Sequence, residues 1–323
     1  MRVICHPYLD PYFNLAAEEW LLVHGHEEVF MLWRNSRAVI VGRNQNTLAE
    51  INAEYVREHN IPVLRRLSGG GAVFHDPGNL NFTCIGRHVG SNKLHFQHFI
   101  EPILTALRAM GLPCVLSGRN DILLGDKKIS GNAQYVSGDW VLHHGTLLFA
   151  AHTDDMAAVL TPGQVKFAGK GITSVRGRVG SIADMLPRPM DMEEFTATLL
   201  GHVTDKSPET SFSPAEMADI EHLAASRYRT WEWNYGHSPR YQVQRQTRTA
   251  AGIVDAHLDV RHGIIADIRL YGDYFGLRDV KELEAVLRGC PHQREALTAR
   301  LAALPVDAYM QGLDAAGLAA CLA

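Results

Sequence analysis

Two hydrophobic periodicities alternate along the chain. Over residues 96–110 the apolar positions Phe96, Phe99, Ile100, Ile103, Leu104 and Leu107 recur at spacings of three and four, which predicts an amphipathic helix with a core-facing stripe. Asn14 can cap a helix that runs through Glu19 and Leu22, with Glu18 and Glu19 near its positive end. Residues 49–60 read as a helix stopped before Pro62, and 154–160, 192–202 and 214–227 as further helices. Short apolar runs at 29–33 and 38–42, joined by a turn at 34–37, read as strands. Residues 122–124, the turn Gly125-Asp126 and the run that follows predict a hairpin, and 143–149 another strand of the same sheet. In the hairpin, alternation sends Lys128 and Ser130 to one face and Ile129 to the other.

Strands and helices mix without strict βαβ alternation, so the expected class is α+β, with mixed β-sheets flanked by helices. Composition shifts after Gly236-His237-Ser238-Pro239. Beyond it come strand patterns at 241–248, 252–260 and 264–270, a turn at Arg261-His262-Gly263, and helices at 280–288 and 293–304. The expected division is a large domain over 1–237 and a small α+β accessory domain over 238–323.

Charge narrows the partners. Thirty-one basic against 35 acidic residues give a net charge of −4, which points away from nucleic acid and anionic membrane. No run of 18 apolar residues predicts a membrane span, and the first residues lack the apolar core of a signal peptide. The five cysteines, Cys5, Cys84, Cys114, Cys290 and Cys321, are scattered and form no CxxC pair. That suits a reducing, cytoplasmic setting and argues against structural zinc. The 17 histidines show no metal-ligand spacing.

The densest chemistry lies in Arg65-Arg66-Leu67-Ser68-Gly69-Gly70-Gly71-Ala72-Val73-Phe74-His75-Asp76-Pro77-Gly78-Asn79. Three consecutive glycines bring backbone N–H groups close to a ligand, and paired guanidinium groups offer forks for phosphate or carboxylate. A hairpin turn with surface arginines is the plain alternative. The second segment, Ser117-Gly118-Arg119-Asn120-Asp121 leading to Lys128-Ile129-Ser130-Gly131, sets a lysine among small residues; a solvated hairpin charge is its plain alternative. Next come His143-His144-Gly145-Thr146-Leu147-Leu148, where alternation lets only one histidine face a ligand, and a basic, glycine-rich loop over 166–179. His75-Asp76 looks like a dyad, but the following Pro77-Gly78 makes it a structural turn.

These segments, in this order, resemble lipoate–protein ligase A within the superfamily of lipoyl and biotinyl ligases and octanoyl transferases. All five family motifs are present: Arg-Arg-x-Ser-Gly-Gly-Gly-Ala-Val-Phe-His-Asp, Ser-Gly-Arg-Asn-Asp, Lys-x-Ser-Gly, His-His-Gly-Thr-Leu-Leu and Lys-Gly-Ile-Thr-Ser-Val-Arg. The likeness begins near Asp10-Pro11-Tyr12-Phe13-Asn14 and runs to Trp231-Glu232-Trp233-Asn234-Tyr235-Gly236, then continues more weakly. It implies a lipoyl/biotinyl-ligase-like catalytic domain that uses ATP to activate lipoate. The acceptors it implies are lipoyl domains of 2-oxoacid dehydrogenase E2 subunits and the glycine cleavage H protein.

By the resemblance, Arg66, Gly71, Ala72, Val73 and Phe74 match ATP-binding positions, and Lys128 matches the lysine that binds both lipoate and nucleotide. Residues 170–179 match the segment that covers the adenylate. Leu67 departs from a position often occupied by serine. The expected ATP and lipoate site comprises Arg65, Arg66, Ser68, Gly69, Gly70, Gly71, Ala72, Val73, Phe74, Asn79, Lys128, Ser130, Gly131, Ala133, His144, Gly145, Thr146, Lys170 and Gly171, with Lys128 catalytic. Adenylation also calls for magnesium at the pyrophosphate, and Asp121 is the nearest candidate carboxylate, with a turn cap as its alternative. A monomer is expected.

Two other functions compete. An ATP-independent octanoyl transferase of the same fold works through a cysteine thioester, for which Cys114 is the candidate, although its apolar flanks suit a buried thiol. A non-catalytic acyl-carrier-binding module would not need the phosphate-side cation Lys128.

Overall fold

The computed structural model describes residues 1–87, 96–118, 120–151, 153–160, 166–167, 179–204, 207–238, 241–272, 274 and 276–323. The chain divides into two compact units.

The first unit is built on an eight-stranded sheet. Its strands are β1 (Arg2–Cys5), β2 (Val29–Arg34), β6 (Asn79–Arg87), β7 (Cys114–Ser117), β8 (Asp121–Leu124), β9 (Lys127–Ser137), β10 (Trp140–Leu148) and β12 (Glu209–Thr210), in the order β12-β1-β2-β6-β10-β9-β8-β7. β12, β1 and β2 run parallel to one another; every other neighbouring pair is antiparallel. A small second sheet places β3 (Ala38–Val41) between β4 (Val63–Arg65) and β5 (Val73–His75). The α+β expectation holds.

One face of the large sheet is the core. The predicted amphipathic helix (Phe96–Ala109) lays Ile100, Ile103, Leu104 and Leu107 against Phe30, Leu32, Phe82, Ile122, Ile129 and Leu147. The helix Met192–Val203 adds Phe195 and Leu199. His143 belongs to this face, stacked on Phe82 and Phe99 with centroids 5.8 and 5.4 Å away. Burial pushes its pKa down to about 3, so it sits neutral in the core.

The opposite face carries the first helix, Pro11–His24. Asp10, not Asn14, caps it: Asp10 Oδ1 accepts from the Tyr12 N–H at 2.9 Å. Pro11 favours the first helical position, so the helix starts earlier than Asn14 suggests. Asn14 instead lies fully buried and donates to Tyr8 O, Arg34 O and Asn35 Oδ1. The single helix expected over 49–60 is two short ones, Thr47–Glu50 and Ala53–Glu58, parted where Ile51 turns extended (φ −125, ψ 154) and buries its side chain.

The second unit comprises Asn44–Ala53, Trp231–Ala323 and the two residues of β11 (Lys166–Phe167). β11 joins β13 (Tyr241–Thr249), β14 (Gly252–Arg261) and β15 (Ile264–Gly272) in an antiparallel sheet. Val254, Ala256, Leu258 and Ile268 alternate inward and meet Leu283, Leu287, Leu297, Leu301, Leu318 and Leu322 from the helices that follow. Among the described residues, no helix is long and apolar enough to cross a membrane.

Candidate active site

Strand register aligns five residues straight across the large sheet. Asp121 pairs with Gly131, Gly131 N–H donates to Thr146 Oγ1 at 3.2 Å, Thr146 pairs with Asn81, and Asn81 pairs with Trp33. Directly paired residues share a face, so all five lie on the face away from the core. Exposure falls along the row. The side chains of Asp121 and Lys128 are each 35% exposed, whereas Asn81 and Trp33 keep 1% and 3%. The row therefore has a mouth at β8–β9 and an inner end at β2.

Lys128 reaches the mouth by an irregular route. Leu123 pairs with Lys128 and Ile122 with Ser130, so β9 carries one extra residue, a β-bulge. The expected alternation fails there. Ile129 enters the core, and Ser130 turns with Asn132, whose Nδ2 donates to Ser130 Oγ at 3.1 Å. Lys128 Nζ donates to Asp121 Oδ1 at 2.8 Å. It lies over Gly131, where a Cβ would stand 3.0 Å from Nζ. The glycine of Lys-x-Ser-Gly thus keeps clear the space that the ammonium occupies. The backbone of Lys128 also accepts from Gly180 N–H at 2.9 Å.

A buried network ties the glycine loop to this face. Arg66 Nε donates to Ser68 Oγ (3.0 Å), and Ser68 Oγ lies 2.6 Å from His144 Nε2. His144 Nδ1 lies 2.9 Å from Glu18 Oε1, which also accepts from Thr83 Oγ1 (2.6 Å); Trp33 Nε1 donates to Thr83 Oγ1 (2.8 Å). Every donor meets an acceptor when His144 carries its proton on Nδ1 and Ser68 donates to Nε2. Ser68 is fully buried and occupied, so this Glu–His–Ser chain positions the loop and offers no nucleophile.

The two arginines are not the free phosphate forks that the sequence suggests. Arg66 spends its donors on Ile40 O, Gly69 O and Gly71 O as well as Ser68, and Arg65 donates to Gly42 O and Arg43 O. Burial lowers both to about 10, still charged near neutrality. Their role in this state is to brace the loop. Gly70 at its apex adopts φ +96, a conformation that side chains disfavour. Gly69 to Val73 are at least partly exposed.

The inner end is polar and uncharged. Asn35 Oδ1 accepts from Asn14 Nδ2, so Asn35 Nδ2 faces His75 Nδ1 (3.0 Å) as donor and His75 carries its proton on Nε2. Burial, with Arg66 and His144 nearby, lowers His75 to about 3. Asn79 Nδ2 donates to Asn81 Oδ1 at 2.8 Å. Asp76 accepts from Gly78 N–H (2.8 Å), the structural turn expected there.

Among the expected site residues, Ala133 pairs with His144 on this face, while Gly145 belongs to the core side, where a Cβ would come within 2.5 Å of Phe82 Cζ. Phe74 is buried, opposite Val39 in the small sheet. Lys170, Gly171 and the basic loop over 168–178 lie outside the described residues. Glu18, Trp33, Thr83, Asn35 and Asn81 were missed. The i, i+4 spacing of Asn14 and Glu18 on a largely apolar helix is a signal for the first; the others enter only through register. Asp121 is committed to Lys128, and no group of three His, Cys, Asp or Glu side chains converges among the described residues. Cys114 is 1% exposed in the core, and burial raises all five thiols, Cys84 to about 12.

A lysine ammonium at the exposed end of this row, on the sheet face to which Ser68 and His144 tie the glycine loop, is an arrangement able to receive an anionic ligand. Relatives make the class specific. The family described as "Lipoyl protein ligase A/B catalytic domain" matches residues 10–204, and "Bacterial lipoate protein ligase C-terminus" matches 238–322. The chain is 40% identical over 295 residues to lipoate-protein ligase LplJ of Bacillus subtilis, covering 89% of each. It is 40% identical over 309 residues to lipoate–protein ligase 1 of Staphylococcus aureus, covering 94% of each. A solved bipartite lipoate protein ligase of Thermoplasma acidophilum, studied with its E2 lipoyl domain, aligns with TM-score 0.62 and 25% identity, over 73% of this chain and 96% of its own. The chain belongs to the lipoate–protein ligase family.

Proposed function

We propose that this site joins lipoate to an acceptor lysine in two steps. A lipoate carboxylate oxygen attacks the α-phosphate of ATP and pyrophosphate leaves. The acceptor amine then attacks the carbonyl of the mixed anhydride, and AMP departs. Lys128 neutralises charge where carboxylate and phosphate meet, the largest single contribution the site makes. Arg65, Arg66 and Ser68 hold the loop, and Gly69, Gly70, Gly71, Ala72 and Val73 present it to the nucleotide. Gly131, Ala133, Thr146 and Asn79 line the acyl slot, and His144 fixes Ser68. Magnesium arrives with ATP as part of the substrate.

The observation that carries this reading is the Lys128 ammonium at the mouth of a row that runs inward from it. The lipoyl domain in the T. acidophilum study supports lipoyl domains of E2 subunits, and by extension the H protein, as acceptors. The protein would act in the cytosol as a monomer. A thioester route finds no support in five thiols all raised by burial. The test is pyrophosphate release with lipoate and magnesium ATP, followed by lipoylation of an apo lipoyl domain. ATP-independent acyl transfer that a cysteine substitution abolishes would replace this reading with the transferase.

A further inference from the structure

The inner end of the row holds unmet hydrogen-bonding capacity. Asn79 Oδ1, Asn81 Nδ2 and His75 Nε2 are buried without a hydrogen-bond partner among the described residues, in residues 0%, 1% and 4% exposed. Exchanging the O and N of both amides leaves the same inventory, one unmet N–H and one unmet C=O. The groups are neighbours: Asn79 bonds Asn81, Asn81 pairs with Trp33, and the His75 ring lies 6.1 Å from Trp33 in an edge contact. Natural interiors leave few such groups unmet, because each costs free energy, and clusters of them point to a ligand or ordered water.

The distance fits a ligand. Gly131, beneath the Lys128 ammonium, and Asn81 are two strands apart, about 10 Å at the usual strand spacing. That is the reach of an eight-carbon acid whose carboxylate is held at Lys128. Lipoate carries its two ring sulfurs at that far end; octanoate carries only methylene and methyl groups.

We propose that Asn81, with Asn79 and His75, reads the far end of the acyl chain and favours an acid with sulfur there over a plain alkyl acid. The inference rests on the adenylating reading of the Lys128 site. Sulfur is a weak acceptor, but it gives the buried N–H groups a partner that an alkyl tail denies them. Sites built to hydrogen-bond a substrate reject analogues that lack the partner.

The test measures pyrophosphate release by the full chain with magnesium ATP and three acids: lipoate, octanoate and 6-thiaoctanoate, a straight chain with one sulfur. The wild type should use lipoate and 6-thiaoctanoate with kcat/KM about tenfold above octanoate, mostly through KM. Asn81→Leu, similar in size and without an amide, should bring the three acids within about twofold of one another. Equal use of octanoate and 6-thiaoctanoate by the wild type overturns the proposal, as does an Asn81→Leu protein that keeps the wild-type ratio; an ordered water then holds the amides. Should Asn81→Leu fail to fold, the wild-type series decides alone. Release with no acid at all removes the adenylating reading and this inference with it, an outcome distinct from activity without discrimination.

Discussion

At the mouth of the row two charged side chains, Lys128 and Asp121, sit a third exposed and neutralise each other. At the inner end uncharged amides and a neutral histidine sit almost without exposure. Solvent explains the division. A charge near water keeps most of its hydration and can exchange partners cheaply, so an ion pair suits a place where substrate must take over one member. Deep burial makes an unpaired charge far more costly, so the inner end uses dipoles. On the proposed reading, reactivity belongs at the mouth and selectivity at the inner end.

Removing the mouth's charge is the strongest way to break that contrast. Lys128→Ala should slow adenylation 100- to 1000-fold, about 3–4 kcal/mol of barrier, with the fold retained. Pyrophosphate release and circular dichroism check both halves, and release within threefold of wild type would place the essential cation elsewhere.

The next largest effect tests whether the region between the ends is structural. Glu18→Ala leaves His144 Nδ1 and Thr83 Oγ1 without their buried acceptor. The loss should be about 3 kcal/mol of stability, read by urea unfolding. Unchanged stability would mean that water replaces the carboxylate.

Acid probes the uncharged end. His75 at that end, and His143 in the core on the other face of the sheet, have folded pKa values lowered from 6.5 to about 3, chiefly by burial, and the buried His6 and His292 are lowered to about 4 in the same sense. The unfolded chain therefore binds their protons first as pH drops. Stability should be level above about pH 7 and fall between about 6.5 and 3, by up to about 1.4 kcal/mol per pH unit for each histidine. Thermal unfolding from pH 8 to 4 tests the sign; a flat profile would mean that these rings are hydrated.

The smallest effect should come from Cys114→Ser. The thiol is in the core, remote in role from either end, so acyl transfer to an apo lipoyl domain should stay within about twofold while stability drops by about 1–2 kcal/mol. Complete loss of transfer by a folded variant would bring back the thioester route.

Much of this was legible in the sequence because it is local. The stripe from Phe96 to Leu107, the Gly125-Asp126 hairpin and the lysine before Gly131 are written in consecutive residues. What escaped was non-local. Nothing near Asn81 indicates that it faces Thr146 on one side and Trp33 on the other. Asn14 has a cap's chemistry, but Asp10 before Pro11 takes the cap and frees its amide to join Tyr8, Arg34 and Asn35. Arg65 and Arg66 look like free cations until the carbonyls of the loop and β3 are folded around them.

The register of β6 has a consequence for how this protein can go wrong. Successive strand residues point to opposite faces, so a slip of one position would put Leu80 or Phe82 where Asn81 stands and push the asparagine into the core. Such a slip would forfeit core packing and slot together. A chain assembled one step out of phase thus has little chance of persisting as a well-folded but inactive impostor. Correct register at the active-site face is thus enforced by the same hydrophobic burial that holds the sheet together.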